Sequence, residues 1–248
     1  MFEVLFDKLE HKLRILKHLI LSPENEVVWL KSLDKNFDVS IDAGANRGYI
    51  SELLSKKSKN VISIEPIDYL ANYLENVMPK NCIVLNNAAS SIEGKIMIKI
   101  PLNKKGKDIS ALSSIERLNN FEDSDEVTSH RETLIEMITI DSYVDSMFPE
   151  RKIDFIKIDV EGHEESLIEG SKKTIIKHSP IVLIEMEQRH GASLEKIYDF
   201  FASNGFSSYY VDNGKLNSSD LDFFRRSQEE YSIGHKNYIS DLIFIKSN

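Results

Sequence analysis

Short runs rich in valine and isoleucine recur along the chain, each followed by a stretch with helical spacing and polar punctuation. This alternation marks βαβ units, whose parallel strands are covered on both faces and therefore read as unbroken apolar runs. Strands are expected at Phe37–Asp42, Asn60–Glu65, Cys82–Asn86, Ile153–Asp159, Ile181–Glu187, Phe206–Val211 and Asp241–Ile245. Helices are expected at Gly48–Lys57, Tyr69–Val77, Glu164–Lys177 with a break at Gly170, and Ser193–Asn204. The expected fold class is α/β: a seven-stranded, mostly parallel sheet with helices on both faces. At 248 residues, 41% of them apolar, the chain can bury the core of one such domain.

Two stretches interrupt the rhythm. After the third strand, Lys95–Ile100 and Thr133–Ile140 read as strands of a small β insertion at about residues 94–140, with acidic Glu116–Ser129 as a mobile surface loop. Between the last two strands, the polar stretch Asp212–Ser240 shows no helical pattern, so the final strand is expected to run antiparallel. Ahead of the domain (residues 36–248), residues 1–35 read as a helical extension packed upon it. There Phe2, Leu5, Leu9, Leu13, Leu16 and Ile20 recur at steps of three and four, and a second helix runs from Glu24 to about Leu33. The same stripe is the surface through which a homodimer would pair.

Composition narrows the function. Forty acidic residues against 31 basic ones give a net charge of −9, which repels phosphate backbones, and no NPPY-type motif for a flipped base is present. No nucleic-acid partner is expected. The single cysteine, Cys82, allows no intrachain disulfide, and no run approaches the ~20 apolar residues of a membrane span. The expected location is the cytoplasm, without integral membrane contact.

The first strand runs into VSIDAGANRG, placing Asp42, Gly44, Asn46 and Gly48 on a strand-to-helix turn of the nucleotide-binding kind. Asn46 holds the middle position of what would be GxGxxG, which weakens a dinucleotide reading. Glu65 ends the second strand 21 residues after Gly44, close to the ~20-residue spacing of an acid that binds ribose hydroxyls. After the third strand, Asn87, Ala88 and Ala89 fall where an adenine edge would lie, with small side chains leaving room for the ring. The fourth strand yields FIKIDVEGHEE, so Asp159, Glu161, His163 and Glu164 gather at the crevice edge facing the Asp42–Gly48 turn. Crowded carboxylates there raise one another's pKa and suit proton transfer, whereas helix capping is the plain structural role for Asp159 or Glu161. Lys157 is expected to pair with one of these acids. No HxH or HxxxH spacing marks a metal site.

VSIDAGANRGYIS, ISIEP, ITIDSYV, FIKIDVEGHE and IVLIEME, in this order over roughly residues 37 to 190, resemble the FkbM family of S-adenosylmethionine-dependent methyltransferases. The resemblance implies a Rossmann-like methyltransferase fold, S-adenosylmethionine as cofactor, and O-methylation of a hydroxyl on a sugar, glycan or other secondary metabolite. It makes Asp42, Gly44, Asn46 and Gly48 the cofactor turn and Glu65 the ribose acid, with Asn87 and Ala88 corresponding loosely. It also puts Asp141 of ITIDSYV beside Asp159, Glu161 and Glu164 as a second motif.

In-line methyl transfer needs alignment and removal of the hydroxyl proton. Asp159 or Glu161 is the expected base, with His163 or Asp141 orienting the acceptor and no metal strictly required. A divalent cation on Asp159, Glu161 and Asp141 is the metal-assisted variant. Two rival classes stand beside this: a non-catalytic cofactor-binding scaffold or sensor, and an NAD-dependent oxidoreductase, which predicts a parallel final strand. Tyr209, Tyr210, Phe223, Phe224 and Tyr231 either stack on a sugar or belong to the core.

Overall fold

The computed structural model describes residues 2–21, 24–103, 127–188, 193–233 and 235–247. The first half runs α1 (Phe2–Leu21), α2 (Asn25–Ser32), β1 (Phe37–Ala43), α3 (Tyr49–Ser55), β2 (Ser58–Ile64), α4 (Asp68–Val77), β3 (Cys82–Leu85), β4 (Ala88–Ala89) and β5 (Gly94–Asn103). It continues with β6 (Val127–Ile138), α5 (Ile140–Met147), β7 (Ile153–Ile158), α6 (Glu164–Glu169), α7 (Lys172–His178) and β8 (Ile181–Glu185). The last quarter holds α8 (Leu194–Ser203), β9 (Phe206–Asp212), β10 (Lys215–Ser218), α9 (Leu221–Glu230) and β11 (Asp241–Lys246).

The main sheet has the order β10-β9-β11-β8-β7-β1-β2-β3. Strands β1, β2, β3, β7 and β8 pair in parallel, and β11 runs antiparallel to both β8 and β9, as the polar final connection implied. Central strands are apolar on both faces because both are covered. On one side Val144, Leu167, Ile175, Ile197, Phe201 and Phe224 pack onto the sheet from α5 to α9. On the other, Val27, Leu30, Leu53 and Leu54 do so from α2 and α3. Because β1 lies between β2 and β7, the chain leaves it in opposite directions, opening a crevice at the strands' carboxyl ends.

The sheet has eight strands and not seven, because Asn213 and Gly214, both at positive φ, turn the chain so that Lys215 pairs with Asp212 and β10 forms a hairpin with β9. Asp212–Ser240 is also not free of helix. Asp220 accepts a hydrogen bond from the Phe223 N–H at 2.7 Å and starts α9, whose Phe224 is fully buried. The strand expected at Thr133–Ile140 ends at Ile138, since Thr139 accepts from the Ser142 N–H and caps α5.

The long helix expected at Glu164–Lys177 is two, α6 and α7, broken at Gly170, where a Cβ would lie 1.9 Å from the Ser90 carbonyl oxygen. Within the loop expected at Glu116–Ser129, residues 116–126 lie outside the described residues, and Val127–Ser129 belong to β6. Strands β5 and β6 pair antiparallel and, with β4, make a separate three-stranded sheet. Its Ile98, Ile100 and Ile135 pack with Ile67 and Leu70 at the start of α4.

Helix α1 meets α4, and Leu9, Leu13 and Leu16 of the apolar stripe take no part in its buried face. His11 and Ile15 are buried, with His11 Nδ1 2.9 Å from the Tyr73 hydroxyl, while Leu9, Leu13 and Leu16 stay exposed. No helix among the described residues is long and apolar enough to cross a membrane.

Candidate active site

The turn after β1 is built by backbone hydrogen bonds: the N–H groups of Gly44 and Ala45 both donate to the Ile64 carbonyl at 3.0 Å, tying the ends of β1 and β2 together. Gly44 has φ +83°, and a Cβ there would lie 1.7 Å from the Asp159 carbonyl oxygen. Its missing side chain lets the β1 turn touch the exit of β7. Gly48 begins α3 at φ +77°, with Met78 Cε and Leu74 Cδ2 filling the space a side chain would need. Asn46, also at positive φ, aims its backbone N–H at Glu65.

Glu65 is 3% exposed, and its two oxygens accept from the N–H groups of Asn46 (2.7 Å) and Ile67 (2.9 Å). Burial pushes its carboxyl up to about 7 against the pull of those two donors. Each oxygen keeps a lone pair for a further donor. A cavity of about 270 Å³ opens beside it, lined also by Gly44, Asn46, Asn87, Ala88 and Asp159. Ala88 and Ala89 keep one wall small, and Ile98 of the β insertion completes another.

The same cavity is lined by acids from the exits of β7 and β8, Asp159, Glu161 and Glu185. Glu161 takes φ +49° and Gly162 φ +95°, a left-handed pair that turns the chain sharply after β7. A non-glycine residue held there stores strain, which structures concentrate at functional sites. Burial, reinforced by Asp159, Glu185 and Glu164, pushes the Glu161 carboxyl up to about 9. Asp159 accepts from the Lys157 ammonium at 2.5 Å. Burial alone would lower the Lys157 pKa, yet Asp159, Asp42 and Glu185 raise it well above its ordinary value. Asp42, 1% exposed, accepts from Ser51 through one oxygen at 2.6 Å while the other has no partner, and burial raises its carboxyl too.

A second cavity of about 440 Å³ adjoins the first, sharing Gly44, Asn46, Asp159 and Glu185 and adding Asp42, Lys157, Glu26 and Asp241. Glu185 and Asp241 are cross-strand neighbours of β8 and β11, and burial drives both carboxyls upward. The sequence reading missed Glu26, Glu185 and Asp241. Glu185 ends the apolar run IVLIE of β8, which pairs with β7, and so was within reach of the strand reading, whereas Glu26 on α2 and Asp241 on β11 arrive through long-range packing that no local pattern reports.

Three expected site residues stand elsewhere. The Asp141 carboxylate accepts from the Lys173 N–H, the Thr174 N–H and the Thr174 hydroxyl at 2.7 to 3.1 Å, so it secures the start of α7 and lines neither cavity. The expectation that it orients an acceptor or joins Asp159 and Glu161 at a cation is not met. His163 is buried, with Nε2 2.9 Å from the Ser90 hydroxyl, and ties the turn after β7 to the end of β4 instead of facing either cavity. Glu164 folds back to accept from the Gly162 N–H at 2.9 Å, and burial pushes its carboxyl up to about 7.

A mostly parallel sheet closed by antiparallel β11, with the crevice beyond β1 and β7, defines a Rossmann-like methyltransferase fold. The chain belongs to the methyltransferase FkbM domain family, whose model matches residues 42–208. Among solved structures it is similar to the FkbM methyltransferase of Methylobacillus flagellatus KT, at 16% identity and a TM-score of 0.53. That match covers 93% of this chain and 52% of the other, so the chain spans about half that protein's length. A TehB-like SAM-dependent methyltransferase of Corynebacterium glutamicum matches at 11% identity, 96% and 97% coverage and a TM-score of 0.44. A precorrin-6y C5,15-methyltransferase of Geobacter metallireducens GS-15 matches at 10% identity, 90% and 87% coverage and 0.44. At such identities the likeness concerns the fold alone. No curated protein matches the sequence.

Proposed function

We propose that the protein is an S-adenosylmethionine-dependent O-methyltransferase acting on a hydroxyl of a sugar, glycan or other small metabolite. The observation that carries this reading is the acidic lining of the crevice: Glu65, Asp159, Glu161 and Glu185 line the first cavity, and Asp42 joins Asp159 and Glu185 beside the Lys157 ammonium in the second. Such a lining suits a cationic ligand and repels a pyrophosphate. Bound there, S-adenosylmethionine supplies an electrophilic methyl group on a positively charged sulfur.

The chain's own residues fit that group. Glu65, oriented by two backbone donors, has acceptor capacity left for the ribose hydroxyls. Ala88 and Ala89 leave space for the adenine ring, and Asp42, whose second oxygen has no partner among the described residues, lines the adjoining cavity, where an ammonium group would meet an acceptor. Glu161 is the base we favour over Asp159. Burial and neighbouring acids raise its proton affinity, so that once ionised it is a strong proton acceptor, whereas the Asp159 carboxylate is held in an ion pair with Lys157. The oxidoreductase alternative loses support from antiparallel β11 and from Gly44, whose open side is filled by the Asp159 carbonyl and not left for a diphosphate.

The test is methyl transfer to a panel of hydroxylated acceptors with Glu161→Gln and Asp159→Asn. Loss of turnover in Glu161→Gln with S-adenosylhomocysteine binding intact is expected. Turnover near the unaltered rate in both variants overturns the assignment of the base, and S-adenosylhomocysteine binding by an unaltered protein that methylates no acceptor favours the scaffold reading.

A further inference from the structure

A third cavity, of about 830 Å³, lies between α9 and the β9–β10 hairpin. Phe223, Arg226, Ser227 and Glu230 line it at the i, i+3, i+4, i+7 spacing of one helix face, while Phe224, one step round, is buried in the core. Gln228 locks this helix: its amide donates to the carbonyls of Met186 and Ile239 at 2.8 Å and accepts from the Gln188 N–H at 2.9 Å. The wall is therefore fixed before any ligand arrives.

The lining combines two chemistries. Tyr210 and Phe223 sit with ring centroids 5.0 Å apart, and Tyr231, its ring stacked on His235 at 4.6 Å, lines the same cavity, giving apolar surface for a ring with C–H groups on one side. Arg226 and Lys236 supply positive charge, and among the described residues neither forms an ion pair. Arg226 donates only to the Asp222 carbonyl at 3.3 Å, whereas its neighbour Arg225 is paired with Glu195 and Asp222. Asp212, Glu230 and Asn237 add acceptors and donors suited to hydroxyl groups. The cavity shares Glu26, Ser240 and Asp241 with the second cavity, which shares Asp159 and Glu185 with the first, so the three form a continuous row.

We infer that this cavity binds the acceptor, a sugar carrying a phosphate or carboxylate group: the ring stacks on Tyr210, Phe223 and Tyr231, and the anionic group meets Arg226 and Lys236. As an acceptor site it rests on the methyl-transfer reading above, and as a sugar site it does not. Calorimetric titration of the full chain with glucose 6-phosphate, glucuronate and glucose tests it, the first two distinguishing the source of the charge. At least one charged sugar is expected to bind about tenfold more tightly than glucose. Arg226→Gln is expected to weaken that binding about tenfold and leave glucose unchanged, while Arg225→Gln, which removes the same charge away from the cavity, has no effect.

Equal binding of glucose, no binding of either charged sugar, or equal losses in the two arginine variants overturns the inference. S-adenosylhomocysteine is titrated separately. If it fails to bind while the charged sugar binds as expected, the methyl-transfer reading falls and the sugar site stands.

Discussion

Two glutamates just beyond the ends of β2 and β7 line one cavity and carry opposite designs. Glu65 is gripped by two backbone N–H groups, and its carboxyl rises only to about 7. Glu161 stands on a strained left-handed turn among like charges, and its carboxyl rises to about 9. The first arrangement fixes an acceptor in place for binding, and the second raises the proton affinity of a carboxyl at the site of proton transfer. The lesson is that burial alone does not set a carboxylate's task. What decides it is whether backbone donors or further carboxylates face it.

The largest expected effect strikes the strut joining the two ends. Gly44→Ala forces a Cβ into the Asp159 carbonyl at positive φ, and thermal melting is expected to reveal a loss of about 3–5 kcal/mol. A wild-type Tm would mean that the turn and the β7 exit are not in the contact described. Next, Glu161→Gln is expected to lower kcat by about 100-fold or more with S-adenosylhomocysteine affinity changed by less than about threefold. A loss of affinity matching the loss of rate would erase the contrast with Glu65.

The contrast was only half legible in the sequence. Asp42, Gly44 and Glu65 lie on one βαβ unit, so their spacing alone predicts their meeting, and strands β1, β2, β7 and β8 fall within a few residues of their apolar runs. Asp241 joins Glu185 at the crevice because β11 inserts antiparallel beside β8, and Glu26 arrives on α2, long-range placements that no local pattern reports. Asp141 misled for the same reason, since its partners Lys173 and Thr174 lie more than 30 residues away. Helix α9 went unseen because its only buried side chains are Phe224 and Ser227. The Asn213-Gly214 hairpin, by contrast, was a readable turn signal that the polar surroundings masked.

The pH dependence of stability sharpens the comparison. Both glutamates have folded pKa values above the usual 4.5, so between about 4.5 and 7 for Glu65, and 4.5 and 9 for Glu161, the native state binds more protons than the unfolded chain. Their contribution to stability is fully present below that window and is lost as pH rises through it. A Tm lower at pH 9 than at pH 6 is expected, with about 2–4 °C per kcal/mol of linkage. The slope above pH 7 should flatten in Glu161→Gln, and an unchanged slope there would assign the titration to other groups. The smallest effect belongs to Asp141→Ala, expected to cost about 1 kcal/mol through the start of α7 while kcat holds. A large fall in kcat at wild-type stability would return Asp141 to the site.

The central claim is that the cavity beside Glu65 binds the adenosyl moiety of a methyl-transfer cofactor. Isothermal titration with S-adenosylhomocysteine and, in parallel, NAD, on the unaltered protein and Glu65→Ala, tests it most directly. The account predicts saturable S-adenosylhomocysteine binding, weakened at least about tenfold in a folded Glu65→Ala protein, and no NAD binding. NAD binding, or S-adenosylhomocysteine binding indifferent to the loss of Glu65, would contradict it.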